Sequence, residues 1–374
     1  MSAKPLAEQD SVYMRRALDL ARKGWGQTAP NPMVGAVVVL GDAIVGEGYH
    51  ARYGAAHAEV NALNAARGRT RGATIYVTLE PCAHHGKTPP CTSAIIDAGI
   101  GRVVAAVRDP SIVAGGGAER LREAGIQVDI GVGRDAACEL NAPFFAANTY
   151  GRPWVTLKLA VSADGAVADP TGRHRWITGP EARREVHRMR ANSDAILVGI
   201  GTVLADDPGL TVREVPAPRV APLRVVLDSE LRTPIGSKLV QTAREIPTRV
   251  TPANIGLWTD RFDALVAAGV KVATPGEHSL DFTLRSLREI DQVRSLLVEA
   301  GPRVAGSFLS ETLVDRLVIF QSPLVLGDAA PKAFAFAPPG FEGSLQRNRI
   351  LERREFGDDV MTTYALHNVP CSLD

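Results

Sequence analysis

The sequence predicts an α/β protein of two domains, and three observations carry that prediction. Short β-rich apolar runs alternate with stretches whose apolar residues recur at helical spacing, as in strands covered by helices. At 374 residues the chain exceeds what one ordinary core organises. Periodicity breaks at Asn148-Thr149-Tyr150-Gly151-Arg152-Pro153, and a new strand begins at Trp154. The expected domains are therefore 8–147 and 152–374.

In the first domain Met14, Ala17, Leu18 and Ala21 form a helical stripe that ends at Lys23-Gly24. The loop Thr28-Ala29-Pro30-Asn31-Pro32 leads into a strand over 34–40. Gly41-Asp42 supplies the turn for a hairpin partner over 43–48. Val60, Leu63 and Ala66 share one helical face, which places His57 and Glu59 at or just before a helix start. A buried strand is expected over 74–79, and a helix runs from Cys91 to Ala98, stopped by Gly99. A strand over 102–107, a helix over 119–124 and a strand over 127–132 complete the layer.

The chemistry concentrates between His57 and Cys91. His57-Ala58-Glu59 is followed by Pro81-Cys82 and, after eight intervening residues, by Cys91. One histidine and two cysteines can hold zinc tetrahedrally and leave its fourth position open to water. A glutamate two residues from the histidine can carry protons without ligating the metal. This H-x-E plus P-C pattern is that of zinc nucleobase deaminases, whose second cysteine ordinarily follows after two intervening residues. Two helix N-termini aimed at the cluster would favour thiolates over thiols. A structural zinc knot would need a fourth protein ligand, which His84 or His85 could supply, but it gives no reason for Glu59.

Three polar residues flank this motif. Asn31 lies between two prolines with its amide free to read a ring edge; His50 ends the Gly48-Tyr49-His50 strand; Lys87 lies between the cysteines. Taken singly they also read as a turn former, a satisfied strand end and a solvated loop charge. Their convergence on one loop system points to substrate binding.

Composition narrows the classes further. The chain is 45% hydrophobic with a formal net charge of +1, which provides no electrostatic footprint for nucleic acid or an acidic membrane. No leader or membrane-spanning run is apparent, so a cytoplasmic protein is expected. Four cysteines are too few for a disulfide framework; with Cys82 and Cys91 given to metal, Cys138 and Cys371 are expected as reduced thiols.

The second domain should contain strands at 154–161, 195–199, 223–227, 295–298 and 317–319, with a charged helix over 180–190. Pro/Ala-rich loops are expected at 215–222 and 329–340. The segment from Ser295 to Ser307 runs from a strand through Gly301 into a helix, an arrangement that turns backbone N–H groups toward an anion such as a pyrophosphate. It lacks the G-x-G-x-x-G fingerprint and, taken alone, is also an ordinary strand-to-helix turn. Asp164 reads either as a site carboxylate or as a turn residue.

Asn31-Pro32-x-Val34-Gly35, Gly46-x-Gly48-Tyr49-His50, His57-Ala58-Glu59, Thr78-Leu79-Glu80-Pro81-Cys82 and His84-His85-Gly86-Lys87-Thr88-Pro89-Pro90-Cys91 together resemble the bifunctional riboflavin-biosynthesis deaminase–reductase family. The likeness extends over nearly the whole chain, and the wide cysteine spacing is specific to that family's deaminases. It implies a cytidine-deaminase-like three-layer domain followed by a dihydrofolate-reductase-like α/β domain that uses NADPH. It implies zinc on His57, Cys82 and Cys91, Glu59 as proton shuttle, and substrate contacts from Asn31, His50 and Lys87. Carried over by position, Ala160, Trp176, Thr202, Asp206, Ser229 and the turn Gly301, Pro302, Arg303, Val304, Ala305, Gly306 and Ser307 correspond to the nucleotide site. His174, Arg190, Leu210, Arg213 and Glu299 correspond to the sugar-phosphate site, where guanidinium groups suit phosphate oxygens, although a lone arginine also reads as a surface ion pair. Two departures stand out. Asp109-Pro110-Ser111-Ile112 runs straight into Val113-Ala114-Gly115, a loop that lacks the family's asparagine and second proline; and His174 replaces a frequent serine.

The resemblance implies a two-step enzyme acting on a small pyrimidine ribosyl-phosphate, with zinc for deamination and NADPH for reduction, and forming a homo-oligomer (dimer or tetramer). The rival readings are a deaminase of another base, for example in tRNA, with an unrelated second domain, and a zinc-stabilised nucleotide-binding module without turnover.

Overall fold

The structure, a computed structural model, describes residues 6–86, 88–111, 115–253, 259–273, 279–335 and 349–371, so Lys87 lies outside the described residues. The chain forms two compact units: residues 1–150 together with the stretch from Val369, and Gly151–Asn368.

The first unit contains α1 (Leu6–Ala21), β1 (Gly35–Leu40), β2 (Ala43–Tyr49), α2 (Ala58–Ala65), β3 (Thr74–Val77), α3 (Cys91–Asp97), β4 (Arg102–Ala105), α4 (Gly117–Glu123), β5 (Gln127–Ile130), α5 (Arg134–Leu140) and α6 (Ala142–Thr149). Its strands form one sheet in the order β2-β1-β3-β4-β5. The β1–β2 hairpin and the β1–β3 pairing are antiparallel; β3, β4 and β5 run parallel.

Alternation along β1 divides the core. Val37 and Val39 pack with Met14, Leu18, Tyr76 and Phe145 on one face; Ala36 and Val38 pack with Ala58, Ala62, Ile75, Ile95 and Leu121 on the other. The result is a three-layer α/β sandwich. Gly46 and Gly48 let α2 lie directly on β2: a Cβ would meet the Ala62 carbonyl oxygen at 2.2 Å from the first, and the Ala58 carbonyl oxygen at 2.4 Å from the second. This close approach brings the start of α2, and so His57, to the end of β2, where His50 lies.

The second unit contains β6 (Trp154–Val161), α7 (Pro180–Ala191), β7 (Ala195–Gly199), α8 (Ile200–Asp206), β8 (Leu223–Leu227), α9 (Lys238–Gln241), β9 (Thr248–Thr251), α10 (Thr259–Ala267), β10 (Lys271–Val272), α11 (Leu280–Glu289), β11 (Ser295–Val298), α12 (Pro302–Ser310), β12 (Arg316–Gln321), β13 (Arg349–Phe356) and β14 (Asp359–Ala365). Its nine-stranded sheet runs β10-β9-β8-β7-β11-β6-β12-β14-β13. The strands from β10 to β12 are parallel, and β14 and β13 add an antiparallel edge. Val155, Leu157, Leu197, Phe308 and Leu317 centre one core, and Ile196, Val198, Val226, Leu239 and Val250 another.

Near both ends of this unit a buried network forms on one carboxylate. Arg152 grips Asp315 through two hydrogen bonds of 2.7 and 2.9 Å, the Val155 N–H donates to it at 2.8 Å, and the His367 ring lies 3.1 Å away. Burial raises the Asp315 carboxyl, but hydrogen bonds from Arg152 and His367 outweigh it and hold the group below its ordinary value.

Two expectations are corrected. Cys138 and Cys371 are not thiols: they form a disulfide, with Cα atoms 6.0 Å apart across a sequence separation of 233. And the chain from Val369 returns to the first unit, where Val369 and Cys371 pack among Met14, Ala137 and Phe145. An apolar tail of this kind carries no sequence periodicity to show where it docks. Among the described residues, no helix is long and apolar enough to cross a membrane.

Candidate active sites

Three side chains from three segments converge in the first unit. His57 is the N-cap of α2, Cys91 opens α3, and Cys82 lies in the loop after β3. Their ligand atoms all lie within 4.8 Å of one another. His57 Nδ1 is 3.2 Å from Cys91 Sγ and 3.6 Å from Cys82 Sγ. A zinc tetrahedron with Zn–N of about 2.0 Å and Zn–S of about 2.3 Å has N···S edges of about 3.5 Å, so the donor set fits that ion. His84 and His85 do not belong to the cluster, so among the described residues no protein ligand takes a fourth position.

The electrostatics suit a cation. A hydrogen bond between the two sulfurs holds the Cys82 thiol down at about 4 and, with burial, pushes Cys91 up. The Cys91 N–H, at the start of α3, also donates to Cys82 Sγ at 3.4 Å. Glu59, in the first turn of α2, is 4% exposed. Burial raises its carboxyl to about 7 against the opposing charge of His57, a value suited to taking and giving protons near neutrality.

Asn31 and His50 meet beside this cluster. The Asn31 side-chain nitrogen is 3.2 Å from His50 Nε2, and His50 Nδ1 is 3.2 Å from the Ala56 carbonyl oxygen. The network therefore assigns the proton to Nδ1 and makes Nε2 the acceptor. Burial lowers the imidazole's pKa and favours this neutral form. The His50 ring stands edge-on to His57, with centroids 5.4 Å apart.

Glu80, quoted in the sequence motif without a role, is buried and accepts the backbone N–H groups of Asp109 and Ala118 at 3.1 and 2.8 Å. It thus ties the loop carrying Cys82 to the segment after β4. The shortened Asp109 loop begins with a local turn, the Ser111 N–H donating to Asp109 Oδ1 at 2.9 Å. Residues 112–114 of that loop lie outside the described residues. The signal for Glu80 was present: a carboxylate three residues beyond a buried strand needs a buried partner.

In the second unit the residues matched to a nucleotide site gather at the carboxyl ends of neighbouring parallel strands. Ser229 follows β8, Thr202 and Asp206 lie on α8 after β7, Gly301 precedes α12 after β11, and Ala160 is near the end of β6. Such strand ends are where open α/β sheets bind ligands. Gly199 allows α12 to approach, since a Cβ there would lie 2.8 Å from Val304 Cγ2. Among the described residues, a Cβ on Gly201 or Gly301 would meet nothing within 4 Å. Pro302, at the first position of α12, removes one N–H from the expected anion cradle and leaves those of Arg303 and Val304. Arg303, Ala305, Gly306 and Ser307 continue the helix, and the Ser307 hydroxyl donates back to the Arg303 carbonyl. Trp176 is 58% exposed, with the guanidinium groups of Arg175 and Arg183 5.5 and 5.3 Å from its ring.

The sugar-phosphate set is brought together only in part. Arg190 and Glu299 pair directly, at 2.5 and 3.0 Å, and Lys158, which the sequence reading missed, reaches Glu299 at 3.4 Å. The remaining Arg190 nitrogen donates to the Thr211 carbonyl at 3.2 Å. Arg190 thus grips Glu299, a second member of the set, and the Thr211 backbone. The physical reason is burial: a carboxylate this deep is stable only beside a counter-charge. Burial alone would raise the Glu299 carboxyl, but Arg190 and Lys158 outweigh it and hold it at about 2. Leu210 is buried with φ of +47°, and exposed Arg213 donates to Thr211 Oγ1 at 2.9 Å. His174 stands exposed, its backbone N–H on Asp169 within the same loop. Asp164 is a clamp, bonding Ser162, the N–H groups of Leu326 and Gly327, and Lys332.

Residues 7–107 match the cytidine and deoxycytidylate deaminase zinc-binding region, and residues 153–362 match the RibD C-terminal domain. Fold, metal-type cluster and these matches define a deaminase unit and a reductase unit in one chain. The chain is 47% identical over 324 residues to the riboflavin biosynthesis protein RibD of Aquifex aeolicus, covering 86% of this chain and 89% of the relative. It is 42% identical to that of Escherichia coli, covering 94% and 98%. A solved structure from Thermotoga maritima, described as a diaminohydroxyphosphoribosylaminopyrimidine deaminase/5-amino-6-(5-phosphoribosylamino)uracil reductase, superposes with a TM-score of 0.83 at 35% identity, covering 96% of this chain and 99% of that one. The chain belongs to the RibD family of riboflavin-biosynthesis proteins and is an enzyme of two activities, a deaminase and a reductase. A deaminase with an unrelated second domain is not favoured, because both family regions are present.

Proposed function

We propose that the first unit hydrolytically deaminates 2,5-diamino-6-(5-phosphoribosylamino)pyrimidin-4-one and that the second reduces the ribosyl chain of the product to give 5-amino-6-(5-phosphoribitylamino)uracil. One observation carries the reading: His57, Cys82 and Cys91 form an open three-ligand cluster beside a buried glutamate. A zinc ion on that cluster supplies activation of water at neutral pH. Glu59 takes a proton from the attacking water and passes it to the departing ammonia. Asn31 and His50 orient the pyrimidine edge, and Lys87, between the two cysteines in sequence, adds a charge. NADPH in the second unit supplies the hydride that reduces ribosyl C1′. There Ala160, Trp176, Thr202, Asp206, Ser229 and the turn from Gly301 to Ser307 align the nucleotide. Arg213, His174 and Leu210 face the sugar phosphate, with Arg190 fixing Glu299 for a ribose hydroxyl.

The reading extends to a cytoplasmic homo-oligomer, dimer or tetramer, that binds small molecules and no nucleic acid, in keeping with a net charge of +1. Purified zinc-loaded chain given the diaminopyrimidinone ribosyl-phosphate should release ammonia and then oxidise NADPH. Ammonia without NADPH oxidation would leave the deaminase and remove the reductase assignment.

A further inference from the structure

The loop that presents Asn31 is gripped from an unexpected direction. Asn141, between α5 and α6, is 4% exposed. Its side-chain oxygen accepts the Met33 N–H at 2.8 Å, and its side-chain nitrogen donates to the Met33 carbonyl at 2.8 Å. One amide therefore satisfies both polar groups of one loop residue, as a neighbouring strand would. Met33 is two residues from Asn31, with Pro32 restricting the backbone between them. The loop is also tied at the Asn31 N–H, which donates to the Thr28 carbonyl at 2.8 Å, and at Val34, whose carbonyl accepts the His50 N–H at 2.9 Å. The Asn141–Met33 pair lies between these two anchors.

Asn141 itself is rigidly held. Its backbone N–H donates to the carbonyls of Ala137 and Cys138, and its own carbonyl accepts the Phe144 N–H. One turn earlier Cys138 is joined to Cys371. The contact order thus runs from a covalently fixed helix, through Asn141, to Met33, Asn31 and His50, whose ring stands against His57.

We propose that Asn141 is a positioning residue for deamination, setting through Met33 the place of the Asn31 amide that reads the pyrimidine. This rests on the deaminase reading above. A buried amide used in this way fixes ground-state contacts to the ring and does not touch the proton transfers of Glu59, so its loss acts on KM more than on kcat.

The test compares full-length, zinc-loaded wild type, Asn141→Leu, Asn31→Ala and the double variant, with ammonia release from the diaminopyrimidinone ribosyl-phosphate as readout. Asn141→Leu should raise KM about tenfold and change kcat less than about threefold, the weight of roughly one neutral hydrogen bond. Zinc content and NADPH-dependent reduction of the deaminated substrate should stay at wild-type levels. In the Asn31→Ala background the same substitution should add nothing to KM, since both act through one contact. Multiplying effects, a loss of kcat at unchanged KM, or loss of zinc would overturn the proposal. Should Asn141→Leu not fold, Asn141→Asp makes the same comparison, keeping the bond from the Met33 N–H and opposing the Met33 carbonyl. Failure of the wild type to release ammonia would instead remove the deaminase reading, and this inference with it.

Discussion

Arg190 holds both oxygens of the Glu299 carboxylate, at 2.5 and 3.0 Å, where α7 meets the end of β11. With Lys158 at 3.4 Å, two cations serve one buried anion, and Glu299 stays ionised to about 2. Its folded pKa lies below the ordinary carboxyl value, so its stabilisation is complete above about pH 4.5 and is lost as pH falls toward 2. Glu299→Gln should lower stability at neutral pH by about 3 kcal/mol, because two half-buried cations lose their partner, and should flatten the acid limb of the stability curve. Thermal unfolding from pH 2 to 7 checks both.

Glu59→Gln removes the carboxyl proposed as the proton shuttle and leaves the three ligand atoms in place. Ammonia release should fall by at least about 100-fold while one zinc per chain is retained. Metal analysis beside a steady-state assay decides it; near-normal turnover would end the assignment of Glu59 as shuttle.

Glu80 is the acceptor for the N–H groups of Asp109 and Ala118. Glu80→Ala should cost about 1–3 kcal/mol for each N–H left unpaired in the interior, and should speed zinc loss to a chelator by loosening the loop of Cys82. Calorimetry and a timed chelation assay give the two values.

The Cys138–Cys371 disulfide closes a very long loop. Cys138→Ser should destabilise the first unit by about 2–4 kcal/mol, and reductant should bring the wild type to the same unfolding temperature. Reductant that leaves the wild type unchanged would contradict the pairing.

Much of the deaminase unit was legible because its elements are short, apolar and regularly spaced. The helix start at His57, the strand from Thr74 and the helix start at Cys91 each carry their own signal, and together they fix the cluster. Helices α5 and α6 were not foreseen, because Arg134–Leu140 is too short for a clear stripe and Ala142–Thr149 is apolar nearly all round. β13 was missed for the opposite reason: at the sheet edge, Arg-Ile-Leu-Glu-Arg-Arg-Glu-Phe presents no buried face to reveal a strand. The commitment of Arg190 to Glu299 and the return of the chain at Val369 depend on contacts more than 100 residues apart, which local pattern does not carry.

Asp315 binds Arg152, two residues into the reductase unit, and His367, its next-to-last residue. The unit therefore begins and ends at the same carboxylate. A module whose entrance and exit coincide can be spliced into a host chain as a cassette without prising the host's own ends apart, and this one is followed by a short stretch that belongs to its host. By that architecture the reductase is carried as a guest within the deaminase's chain. Joining Asn368 to Gly151 through a short linker and opening the ring at a surface turn should yield a circularly permuted reductase with its sheet intact.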